Sequence, residues 1–234
     1  DSNAWAIDAE NGRIRWKVDG IGNETNLISN NSPAVSGKYA LFGFGNGEIY
    51  ATFKKGGYVL WSSSLSGRGD SRVLSAIDDI VASPAIVGRN AYAADGSGKV
   101  VSLKIENGER NWTAPFGSSG NFWIAGKSLF FISDTNKLVR LEMKTGKTVW
   151  LTELPSFSQK RLLRNKKTNQ HHGPIIAGNQ LVIVSSDGYI RFYDPKTGEQ
   201  RNKLKIKAGA TVNPIVVNET LYLITQDGKL RAFR

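Results

Sequence analysis

Asp78 and Asp79 are adjacent carboxylates in the run Ile77-Asp78-Asp79-Ile80-Val81-Ala82-Ser83-Pro84. Two carboxyl groups can serve acid-base chemistry or hold a cation, but catalysis needs a second convergent group, and the Asp-x-Asp-x-Asp-Gly spacing of a calcium loop is absent. The pair reads either as a turn and strand cap or as a polar contact on a face where loops meet. Gly43-Phe44-Gly45-Asn46-Gly47 invites a phosphate-loop reading. It stands between two strand-like runs, with no helix N-terminus to hold an anion and no Gly-Lys-Ser/Thr, so it reads as a hairpin turn. Arg68-Gly69-Asp70 reads as part of an exposed loop. His171 and His172 are neighbours, and on a strand neighbours point to opposite faces, so they chelate poorly and no metal is assigned. Between Ser156 and Gly173 stand Lys160, Arg161, Arg164, Lys166 and Lys167 with no acidic residue. This stretch suits an acidic protein or lipid head groups, or is simply a solvated loop; it has no aromatic ladder for stacking bases.

These residues must be held by something, and the holder is a repeat. Its clearest copy runs from Ser83 to Trp112, four short strand-like runs broken by Gly88-Arg89-Asn90, Asp95-Gly96-Ser97-Gly98 and Glu106-Asn107-Gly108, which predicts a four-stranded meander. A turn glycine stands four residues before a tryptophan at Gly12/Trp16, Gly57/Trp61, Gly108/Trp112 and Gly146/Trp150, and Gly198 is followed by Asn202 in the Trp place. Successive glycines are 45, 51, 38 and 52 residues apart, around the length of one propeller blade. A Gly-x-aliphatic step opens the third strand at Gly47, Gly98, Gly188 and Gly228, with Asn136 as the variant.

A lone four-stranded sheet cannot bury both faces, so such units stack around an axis. The recurring Trp is then an inter-blade packing residue rather than a platform for a ligand. The expected architecture is all-β: a β-propeller of four-stranded antiparallel blades, one domain over 1–234. It comprises a partial blade 1–18, repeats of about 32–62, 83–113, 121–151 and 172–202, and a partial blade 213–234, about five blades of a larger ring. Ala4 to Asp8 align with Val100 to Lys104, so the sequence opens in a third strand and its last copy ends in one; the terminal sheets are expected to need outside cover.

Composition narrows the class. The 234 residues are 40% hydrophobic, with 25 Gly and 7 Pro, and no window approaches the roughly 18 apolar residues of a membrane span. Zero cysteines exclude disulfides, thiolate metal sites and cysteine nucleophiles. The net charge of +11 favours acidic partners.

The pattern Ser-Pro-aliphatic, Gly-x-aliphatic, then Asn/Thr-Gly-x-x-x-Trp resembles the pyrroloquinoline-quinone-type propeller repeat. Asp78 to Pro84 and the terminal Gln226-Asp227-Gly228-Lys229-Leu230-Arg231-Ala232-Phe233-Arg234 resemble the BamB family, lipoproteins of the outer-membrane β-barrel assembly machine. That resemblance implies a ring of about eight blades on the periplasmic face of the outer membrane. Here its N-terminal blades and lipid-bearing cysteine would be missing. It implies a non-enzymatic scaffold with no cofactor, docked on the periplasmic domains of the barrel-inserting subunit, BamA, and possibly meeting nascent outer-membrane proteins, with no nucleic-acid partner. The family's contacts lie in two loops before consecutive inner strands. The first corresponds to Thr25-Asn26-Leu27-Ile28, with Thr25 and Ile28 where the family has Leu and Arg. The second corresponds to Asp79-Ile80-Val81, with Val81 replacing an aspartate. The partner-binding residues expected from this are Leu27, Ile28, Asp78 and Asp79. Two alternatives share the repeat: a fragment of a quinoprotein dehydrogenase, whose family carries a bound cation and a vicinal disulfide, and a generic interaction propeller, though the Trp-Asp and Gly-His elements of the WD40 repeat are absent.

Overall fold

A computed structural model of the chain describes residues 3–20, 32–45, 47–65, 82–96, 98–118, 120–157 and 168–234. Every regular element among them is a strand. Short β-branched or aromatic runs punctuated by left-handed glycines leave little else open to the backbone. β1 (Asn3–Ile7) pairs with β2 (Ile14–Asp19). The next sheet runs β3 (Ala34–Ser36), β4 (Tyr39–Gly43), β5 (Glu48–Phe53), β6 (Val59–Ser64), and the third β7 (Ala85–Val87), β8 (Asn90–Ala94), β9 (Val100–Lys104), β10 (Arg110–Ala114). Then come β11 (Trp123–Ala125), β12 (Ser128–Ile132), β13 (Lys137–Glu142), β14 (Thr148–Glu153), followed by β15 (His171–Ala177), β16 (Gln180–Ser185), β17 (Tyr189–Tyr193), β18 (Gln200–Lys205). A three-stranded sheet closes the order: β19 (Ile215–Val217), β20 (Thr220–Ile224), β21 (Leu230–Phe233). All neighbours are antiparallel and consecutive in sequence, the predicted meander. The chain forms two compact units, Asp1–Phe122 and Trp123–Arg234.

Within each unit, the middle sheet buries both faces against its neighbours. Leu181 and Ile183 of β16 join a core with Phe130, Ile132 and Leu138 of the preceding sheet. Their alternates Val182 and Val184 join another with Leu221 and Leu223 of the following one. Period-two alternation thus splits one strand between two cores, each buried aliphatic side chain contributing roughly 1.5–3 kcal/mol. In the first unit Leu41, Ile49 and Ala51 pack against Ala91, Val101 and Leu103 in the same way.

The Gly-Trp spacing has a three-dimensional meaning. Gly57, Gly108 and Gly198 each lie under the indole of the preceding sheet: a Cβ on them would sit 2.7, 2.7 and 2.6 Å from Trp16, Trp61 and Trp150. Each indole N–H donates to the carbonyl three residues before that glycine, at Lys54 (3.1 Å), Ile105 (2.9 Å) and Pro195 (3.3 Å). The glycines have φ of +70, +73 and +76°, so the residue that frees the turn also clears the floor for the ring. One unopposed residue precedes the Trp or Asn202 in all five strand-three to strand-four pairings, for example Arg15 between the Ala6–Trp16 and Ile7–Ile14 pairs. That bulge aims the ring at the next sheet. Asn136, the variant opener of a third strand, also has positive φ (57°), which asparagine tolerates better than other side chains.

Candidate functional site

Residues expected to bind a partner stand in the connections from β2 to β3 and from β6 to β7. Leu27, Ile28, Asp78 and Asp79 all lie outside the described residues, as does Arg68-Gly69-Asp70. The bases of the two connections are described. Gly20 leaves β2 against the ring of Phe44, where a Cβ would meet ring atoms at 2.4 Å. Leu65, fully buried, leaves β6 with its N–H on the carbonyl of Gly47, 3.0 Å. The second connection returns at Ala82, also fully buried. Where the two re-enter the fold, the backbone N–H of Ser32 donates to the Ser83 hydroxyl at 2.9 Å. The starts of β3 and β7 are therefore held side by side, and two chain segments 51 positions apart open from one joint.

That hydrogen bond recurs in the second unit, where the N–H of Gly173 donates to Asn213 Oδ1 at 2.8 Å. Ser32, Ser83, Gly173 and Asn213 all immediately precede a proline. The polar residue before proline is thus the acceptor of an inter-sheet bond. The Ser-Pro element carried that signal, but its acceptor role shows only once neighbouring sheets are placed.

The basic connection from β14 to β15 is described at its ends, and His171 joins them. Its Nε2 lies 3.1 Å from the carbonyl of Pro155, which can only accept, so Nε2 carries the proton. Nδ1 then accepts the hydroxyl of Ser185 at 2.7 Å. Ser185 also receives Arg191 Nη1 at 2.9 Å, and Arg191 is held by Asp187 in a buried ion pair. Burial lowers the pKa of His171 below its usual range, and the neighbouring Arg191 adds to this. A Ser-His contact raises the question of nucleophilic catalysis, but Ser185 is 0% exposed, so no substrate reaches its hydroxyl. The cluster closes a loop. His172, the alternate residue, pairs with Val184 in β16 and points away from His171, as adjacent strand residues must.

Among the described residues no three His, Asp or Glu side chains converge as a metal-holding group.

Antiparallel meanders, joined within each unit by an indole over a turn glycine at Trp16, Trp61 and Trp150, define a β-propeller of the pyrroloquinoline-quinone-like repeat class. The family model described as outer membrane protein assembly factor BamB matches residues 1–152 and 133–234. The chain belongs to the BamB family. It is 24% identical over 226 residues to BamB of Shewanella oneidensis, covering 96% of this chain and 54% of that protein. It is 29% identical over 205 residues to BamB of Legionella pneumophila, covering 87% and 50%. The chain spans about half the length of these curated relatives. The crystal structure of BamB from Moraxella catarrhalis superposes with a TM-score of 0.80 at 19% identity, over 99% of this chain and 66% of that one. A quinohemoprotein alcohol dehydrogenase of Pseudomonas putida shares the fold at a TM-score of 0.69 and 15% identity, over 94% and 48%.

Proposed function

We propose that this chain is part of a non-enzymatic scaffold for outer-membrane protein assembly. It works at the periplasmic face of the outer membrane, inside a propeller ring of about eight blades. It docks onto the periplasmic domains of the barrel-inserting subunit, BamA, through the connections holding Leu27, Ile28, Asp78 and Asp79. The observation that carries this reading is the joint between Ser32 and Ser83, which brings the bases of the two connections together on a chain matched throughout by the BamB family model. Leu27 and Ile28 supply apolar surface that loses water on contact, while Asp79 selects a cationic group and sets register.

The test is capture of the purified periplasmic domains of BamA, paired with a thermal melt of each variant. Asp79→Ala and Leu27→Asp are each expected to weaken capture while leaving Tm nearly unchanged, and neutralising Lys166 and Lys167 to do much less. Lost stability with intact capture would make Asp79 a turn cap, and undiminished capture by both variants would reject the site.

A further inference from the structure

The excess of positive charge lies in one half of the chain. Residues 123–234 hold 19 Lys and Arg against 8 Asp and Glu, whereas residues 1–122 hold 12 of each. The whole net charge of +11 therefore belongs to the second unit.

Part of it is ordered in a row. The end of β18 and the two residues after it read Lys203-Leu204-Lys205-Ile206-Lys207, in which Ile206 is buried and the three lysines are exposed. Lys203 and Lys205 lie opposite Arg191 and Tyr189 of β17, so strand alternation puts both on one face, and Lys207 follows two residues on. The ring of Tyr189 lies 5.3 Å from Lys203 Nζ and 5.2 Å from the Arg191 guanidinium. Arg191 is neutralised by Asp187, but none of the three lysines is in an ion pair among the described residues.

The row shares its end of the sheet with other features. Ile206 donates its N–H to Gly188, in the turn from β16 to β17, and Ser186 of that turn donates to Gln170. Beside Gln170, His171 reaches Pro155, and Phe157, 52% exposed, bridges to Thr168. Carboxylates at this end are already engaged: Glu153 with Lys137 at 3.1 Å, Asp187 with Arg191, and Asp227 with Arg231 at 3.2 Å, leaving Asp134 in its turn.

We propose that Lys203, Lys205 and Lys207 form a docking surface for the anionic head groups of a phospholipid bilayer. Compact ammonium charges in a row at an exposed strand end suit a plane of phosphates, and the exposed Phe157 ring and partly exposed Leu204 supply the apolar contact that head-group regions accept. A nucleic acid would call for a ladder of stacking aromatics along the row, and Tyr189 is the one aromatic beside it. This surface is independent of the connections proposed to meet BamA, which lie in the first unit.

The experiment is co-sedimentation of the full chain with vesicles of phosphatidylcholine containing phosphatidylglycerol, against phosphatidylcholine alone. Binding is expected only to the anionic vesicles and is expected to vanish near 1 M salt, where screening acts within about 3 Å. The triple variant Lys203→Gln, Lys205→Gln, Lys207→Gln is expected to bind on the order of a hundredfold more weakly. Lys127→Gln, Lys144→Gln, Lys147→Gln removes the same charge from exposed residues at the opposite end of a sheet and is expected to cost less than about threefold. Equal loss in both triples, with melts showing both folded, would assign the effect to net charge and overturn the surface. So would absent binding to anionic vesicles, or binding of polyglutamate or an oligonucleotide with vesicles left free.

Discussion

The joint between Ser32 and Ser83 in the first unit and that between Gly173 and Asn213 in the second are the same device at the same place in the repeat, yet the segments entering them differ in chemistry. Residues 21–31 and 66–81 of the first unit carry an excess of two acids, whereas 158–167 of the second carry five bases and no acid. The sheets and joints obey one set of packing rules in both units, and the connections are where charge is free to diverge. A propeller in this way keeps framework and recognition in separate parts of each repeat.

The comparison breaks first at the indoles if the framework is not shared. Trp61→Ala and Trp150→Ala, one in each unit, are each expected to lower stability by about 3 kcal/mol, since each strips a half-buried ring and its N–H bond from an inter-sheet contact. Asn202→Ala, at the equivalent exposed place, is expected to change it by less than about 0.5 kcal/mol. Chemical denaturation at matched slopes measures all three, and unequal losses in the two tryptophan variants would show that the units are not built alike.

A smaller effect separates the two tasks of the glycine. Gly12→Ala, at φ +72° with nothing within 4 Å of the new Cβ, is expected to cost about 1 kcal/mol for backbone strain alone. Gly108→Ala and Gly198→Ala carry the same strain and also push the indole away, so they are expected to cost about 2 kcal/mol or more. Equal destabilisation of all three would mean the rings simply move aside.

The smallest expected effect distinguishes the units by pH. His171 is held neutral in the second unit, its folded pKa below the ordinary 6.5, and burial lowers His172 as well. As pH falls through that ordinary value the unfolded chain takes up protons that the folded chain refuses, so stability drops as pH falls below about 6.5. Asp8, Asp194 and Asp227 titrate below their ordinary 3.8, Asp194 at about 2, and act only at lower pH. The Tm of the chain is expected to fall with pH below about 6.5, and that of His171→Asn with His172→Asn to stay flat. A fall of the same size in the double variant would place the proton uptake elsewhere.

Much of this framework was legible from punctuation. Glycine and tryptophan at a fixed gap gave the strands, the turns and the packing role of the ring. What the spacing could not give was that Trp16, Trp61 and Trp150 rest on the glycine of the following repeat, because Trp61 and Gly108 are 47 positions apart and meet only across sheets. His171 read as part of a cationic loop, since the partners that hold it, Pro155 just after β14 and Ser185 on β16, lie 16 and 14 positions away. The expected site residues Leu27, Ile28, Asp78 and Asp79 rest on family pattern and charge alone, while the Ser-Pro steps that follow them proved to be hydrogen-bonded to each other.

The unopposed residue ahead of each Trp has a consequence for how such a chain tolerates change in length. Removing one residue between Gly57 and Trp61 would turn the indole to the wrong side of its strand, away from Gly108, so that four-residue gap has no slack. Stretches between sheets such as 66–81 and 158–167, which differ widely in length, are expected to absorb insertions without disturbing a strand pairing. Deletions and insertions should therefore sort by position within the repeat, the hairpin before the indole refusing both and the connection after it accepting either.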